Sequence, residues 1–152
     1  MALKQALEIF EMLSSARATG AQVADLLRAR GVSDVKVARV QGAKGATDFV
    51  SGAIVASAGG PVLGIIGRLG GIGARPNAIG LVSDADGAIV TLAAALKLAD
   101  MAAAGDVLPG TVRFATHICP NAPTIQNNNG DGTSATPRYK NVWYQATIGL
   151  RL

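Results

Sequence analysis

Asp84, Asp86, His117 and Cys119 carry most of the reactive side-chain chemistry in this chain, and all four lie in one run from Leu81 to Thr124, LVSDADGAIVTLAAALKLADMAAAGDVLPGTVRFATHICPNAPT. Carboxylate oxygen and imidazole nitrogen are both ordinary zinc ligands, and zinc held by them can polarise a carbonyl and activate water. Asp84 is therefore the leading candidate metal ligand and His117 the second. Arg68 and Arg75 flank the glycine loop RLGGIGARP. Guanidinium forks and backbone N–H groups in such a loop can hold a carboxylate or phosphate. With Asp86 and Cys119, these arginines make up the expected substrate-binding set.

Each of these residues also has a plainer reading. Asp84 or Asp86 can cap the helix that follows. His117 can be a hydrogen-bonded loop histidine. Cys119 precedes Pro120 with no second cysteine nearby, which suits a buried structural thiol. RLGGIGARP fits neither the dinucleotide fingerprint nor the phosphate loop with its Lys and Ser/Thr, so a tight turn beside a packed sheet also accounts for it.

Positioning these groups falls to a strand, a helix and a strand. LVSDADG predicts a short strand stopping at Asp84, with Asp86 or Ser83 capping a helix from near Gly87 to about Ala104. Ile89, Leu92, Leu96, Leu98 and Met101 recur mostly at helical spacing, Lys97 and Asp100 are expected to point outward, and Gly105 is a suitable stop. Thr111 to Thr116 predicts the next strand, which delivers His117 and Cys119 at its end. If the two strands are parallel, Asp84 and His117 share the carboxyl edge of the sheet, where open α/β folds hold ligands.

Upstream, Leu3, Leu7, Phe10 and Leu13 mark one helix face, and Val23, Leu26 and Leu27 mark a second helix ending at Gly31. Val35, Val37 and Val40 alternate as a strand, GAKG is a turn, and an extended segment covers Asp48 to Val55. Val62 to Gly67 is a continuous apolar run of the kind found in strands buried on both faces. The expected fold class is α/β: a mostly parallel sheet with flanking helices, an N-terminal helical hairpin and a C-terminal edge strand at Val142 to Leu152. Residues 1–126 are expected to form the α/β domain. Residues 127–152 form an Asn/Gly-rich loop and terminal strand of different composition, carrying the only Trp and both Tyr residues; they read equally as a packed strand or as a tail foreign to the domain.

With 152 residues, 49% of them hydrophobic and 16% charged, the chain suits a packed domain better than a disordered one. A net charge of +4, spread without a basic and aromatic stripe, argues against nucleic acid as a partner. The single cysteine excludes an internal disulfide and is compatible with a reducing cytoplasm, the expected location. Glu8 and Glu11 interrupt the N-terminal apolar pattern, so it is not a secretory signal, and no apolar stretch is long enough to span a bilayer.

The motifs GIIGRLGGIGARP, SDADGAI and THICPNAPT together resemble the N-terminal half of an uncharacterised bacterial and archaeal family, a domain of unknown function, over roughly residues 1–124. More distantly, Asp84 followed by a small-residue helix and a strand is similar to the co-catalytic zinc peptidases and deacylases. That likeness implies Asp84 as a zinc-bridging ligand and a zinc cofactor. Where those enzymes place a His before the bridging Asp this chain has Arg68, and His117, Ile118 and Cys119 stand where their acidic pair falls. The expected function is part of a metal-dependent amidohydrolase acting on a small molecule or peptide. The alternatives are a non-catalytic small-molecule or anion-binding α/β domain, or a truncated fragment that self-associates as a homo-oligomer through an exposed sheet edge.

Overall fold

The four residues GAKG can reverse the chain only into an antiparallel neighbour, and this hairpin sets the direction of half the sheet. In the computed structural model, which describes residues 1–42, 45–57, 59–73, 77–122 and the short strands at 125–126 and 133–134, β1 (Ser33–Gly42) and β2 (Gly45–Ile54) pair antiparallel and close on Gly42 opposite Gly45. The register shifts between Ser33 and Lys36, where Asp34 takes a φ of 51°. Lys36 and Arg113 approach its carboxylate at 2.9 and 3.6 Å.

Two further pairings complete the sheet. β2 pairs antiparallel with β6 (Thr111–Ile118), from Asp48 opposite Ile118 to Ile54 opposite Val112. β3 (Val62–Ile66) pairs parallel with β6, from Val62 opposite Thr111 to Ile66 opposite Ala115. The order is β1-β2-β6-β3. The expected mostly parallel sheet is therefore corrected to a mixed one, in which β3 and β6 are the parallel pair. The strand–helix–strand unit exists, but its first strand is β3. The strand ending at Asp84, β5 (Leu81–Ser83), pairs antiparallel with β4 (Gly71–Ile72) in a separate two-stranded sheet. β7 (Ile125–Gln126) and β8 (Thr133–Ser134) form another. The predicted edge strand at 142–152 lies outside the described residues.

The predicted helices form at α1 (Leu3–Leu13), α2 (Gly20–Ala29) and α3 (Asp86–Ala103). α1 packs on α3, whereas α2 packs on β1 and β2, so the two N-terminal helices lie on different elements rather than as a hairpin packed on itself. The buried face of α1 is Gln5, Ile9 and Leu13; Leu3, Leu7 and Phe10 are exposed. α2 starts at Thr19 with a capping box: Gln22 N–H donates to Thr19 Oγ1, and Thr19 N–H donates to Gln22 Oε1. It ends at Gly31, whose φ of 81° suits glycine. The Asp48 carboxylate on β2 accepts from the first N–H of α2, Gly20, at 3.1 Å, where the helix dipole favours negative charge.

α3 lies over β6, β2 and β3. Ala88, Leu92, Ala95, Leu96 and Ala99 pack with Ile9, Leu13, Val50, Ile54, Phe114 and Ile118 in one core. Asp100 does not simply point outward. It accepts from Gln5 on α1 at 2.7 Å and from Arg30, after α2, at 3.0 Å, and Arg30 also reaches Glu8 at 2.6 Å. Hydrogen bonding to Glu8 holds the Arg30 guanidinium above its ordinary value, and Gln5 holds the Asp100 carboxyl below its own. Among the described residues no helix is long and apolar enough to cross a membrane.

The run Val62 to Gly67, expected to be buried on both faces, instead lies at the edge of the sheet among the described residues. Val62, Leu63 and Ile66 are 50%, 60% and 51% exposed.

Candidate functional site

The loop that leaves β3, residues 67–73, gathers the predicted site residues with backbone hydrogen bonds. Gly67 N–H donates to Ala115 O on β6 at 3.1 Å. Arg68 O accepts from Ala88 N–H in the first turn of α3 at 3.0 Å. Leu69 makes a backbone hydrogen bond with His117. Gly70 N–H donates to Asp84 O at 2.7 Å, and Ile72 N–H donates to Cys119 O at 2.9 Å. One short segment is thus fastened to β6, to α3 and to the end of β5.

Glycine is required at two of these contacts. A Cβ on Gly67 would collide with Gly87 O and Thr91 Oγ1, and one on Gly87 would collide with the Arg68 backbone. The start of α3 therefore sits directly on the β3–loop junction. Ala85 occupies the N-cap without a side-chain hydrogen bond and Asp86 lies inside the helix, so the expected capping by Asp86 is not what closes this helix end; the Ser83 side chain lies outside what the structure describes. Asp86 lies in the first turn, where its charge opposes the helix dipole's positive end, and Arg68 O takes up the Ala88 N–H.

The predicted residues divide by exposure. Arg68, Asp84 and Asp86 are exposed, while His117 and Cys119 are 4% and 2% exposed. The Cys119 thiol donates to Ala46 O on β2 at 3.5 Å. His117 stands opposite Phe49 on β2, with ring centroids 5.8 Å apart. Burial, together with the nearby Arg68 charge, pushes the imidazole down to about 4 against the opposing hydrogen bond with Leu69, so it is neutral at pH 7. Arg75 lies outside the described residues. Phe49, Thr47 and Leu69 were not picked out by sequence reasoning; Thr47 Oγ1 donates to Ile118 O at 3.1 Å and helps fix the end of β6. Period-two alternation along β2 is the signal that would place Phe49 on the face of His117.

As a zinc site the arrangement is incomplete. Asp84, after β5, and His117, on β6, are chemically suitable donors that each bond to the 67–73 loop, but among the described residues no group of three or more His, Cys, Asp and Glu side chains could hold a metal ion. A catalytic zinc usually takes three protein ligands.

The fold and the loop define an α/β domain with a mixed sheet and a candidate site at the carboxyl end of the parallel β3–β6 pair. Residues 38–131 match the family model DUF1177, described as a protein of unknown function, and the chain belongs to that family. No curated protein matches it.

Proposed function

We propose that the edge built by residues 67–73 binds a small molecule bearing a carboxylate or phosphate, with Arg68 anchoring its charge and Asp84 and Asp86 setting which neighbouring groups are accepted. What supports this reading is that three consecutive residues, Arg68, Leu69 and Gly70, are tied by their backbones to α3, His117 and Asp84. An exposed guanidinium on a fastened backbone loses less freedom on gripping an anion than one on a free loop.

A second reading, a metal-dependent amidohydrolase similar to the zinc peptidases, is favoured by one observation: His117, on β6, is held in the neutral form that coordinates metals and is hydrogen-bonded to Leu69, next to the Gly70 that bonds the exposed Asp84. It needs further donors beyond the described residues. In that reading zinc would supply a Lewis acid, and Arg68 would orient a substrate carboxylate.

Thermal unfolding and calorimetric titration with inorganic phosphate, succinate and zinc, on the wild-type chain, Arg68→Gln and Asp84→Asn, separate the two. Anion stabilisation that needs no zinc and disappears in Arg68→Gln supports the first reading; saturation at 100-fold over Kd is worth about 2.7 kcal/mol. Saturable zinc binding lost in Asp84→Asn supports the second. No response to any of the three probes removes both.

A further inference from the structure

The two edges of the main sheet are unlike. β1 carries Asp34, Lys36 and Arg39, the charged side chains that discourage edge-to-edge pairing. β3, VLGII, carries no charge, and Val62, Leu63 and Ile66 are at least half exposed. Among the described residues no strand pairs with its other side. Gly67 N–H is directed at Ala115 O on β6, and strand groups alternate sides, so the N–H and C=O groups of Val62, Gly64 and Ile66 point away from β6 to the free edge.

The sequence of this edge is self-complementary about Gly64. Antiparallel pairing of two such edges around a two-fold axis at Gly64 sets Val62 against Ile66 and Leu63 against Ile65. Each facing pair consists of β-branched or aliphatic side chains on the same face of the sheet. The outward groups of Val62, Gly64 and Ile66 then fall at hydrogen-bonded pairs. Charge selects this partner over the other edge: a β1 strand would bring Lys36 and Arg39 onto an apolar rim that offers them no anion, whereas β3 meets only uncharged residues. A two-fold axis perpendicular to the sheet also keeps the helices of both copies on one face, so they need not cross the new junction.

We propose that β3 is the surface through which two copies of this chain associate, joining their sheets antiparallel about Gly64. This interaction is independent of the ligand reading above. In sedimentation equilibrium the wild-type chain is expected to run as a dimer, and Val62→Lys and Ile66→Lys, both at exposed positions, as monomers with unchanged circular dichroism.

Cross-linking fixes the register. Nothing lies within 4 Å of a Cβ at Gly64, so Gly64→Cys leaves the fold intact. Facing Cα atoms in a hydrogen-bonded antiparallel pair are about 5.5 Å apart, within disulfide reach. With oxidised glutathione, Gly64→Cys gives a covalent dimer, and Val37→Cys on β1 does not. A monomeric wild-type chain, or equal cross-linking at both edges, overturns the proposal.

Discussion

Phe49 and His117 face each other across the β2–β6 pair, their ring planes inclined at 40°. The imidazole is covered at the point where the sheet meets the site loop, and its protonation state is coupled to the integrity of that junction.

The coupling has a direction. The folded imidazole titrates at about 4, below its ordinary 6.5. The unfolded chain therefore binds more protons between those values, and stability rises with pH across that window. The contribution is complete above 6.5, is lost as pH falls, and amounts to roughly 3 kcal/mol at most. Urea unfolding at pH 4.5 and 7 measures it. His117 is the only histidine, so His117→Gln should remove the histidine part of the slope, and a ring-proton NMR titration reads the value directly.

Gly67→Ala and Gly87→Ala each force a methyl group into backbone atoms at the start of α3. Overpacking of this kind costs about 1–3 kcal/mol. Gly64→Ala, with open space at its Cβ, costs only the small amount that the surface strand position dictates. Thermal unfolding of the three variants should rank Gly64→Ala clearly above the other two.

Arg30 joins Glu8 on α1 to Asp100 on α3 through separate arms of its guanidinium. Because the side chains are about a quarter exposed, solvent screens the pair. Arg30→Ala is expected to cost about 1 kcal/mol and to cost less in high salt. Arg30→Lys should not restore it, since one ammonium cannot reproduce the fork. Denaturant midpoints at two ionic strengths check both points.

Thr19 fastens the start of α2. Thr19→Ala should lower stability by about 1 kcal/mol, with Thr19→Ser close to wild type. Asp48→Asn, which keeps the shape but removes the charge below Gly20, should lower it by a further small amount readable in the same unfolding curves.

Much of the local structure was legible because periodicity and turn chemistry are local. Ile89, Leu92 and Leu96 mark α3, and GAKG marks the β1–β2 turn. Strand partners were not, since both LVS and VLGII are apolar runs and nothing in either says which one lies beside TVRFATHI. Assigning LVS to that place led to a parallel sheet containing β5. The same limit hid the edge status of β3, because a continuous apolar run has the same composition at an edge and at a centre. At the site, Asp84, Arg68 and His117 were legible as types of chemistry. The loop that brings them together acts through backbone groups of Gly67, Leu69 and Gly70, which leave no trace in residue type beyond the glycines.

The parallel pair also carries an expectation for the order of assembly. The β1–β2 hairpin joins residues a short turn apart, whereas β3 and β6, with Val62 opposite Thr111, are separated in sequence by the site loop, β5 and α3. Closure entropy grows with the length of the intervening chain, so the hairpin can form early and the β3–β6 ladder late. The loop that carries Arg68 hangs on that late-closing ladder, so the site is expected to take shape with the crossover and after the hairpin, an order that pulse-labelling hydrogen exchange would read.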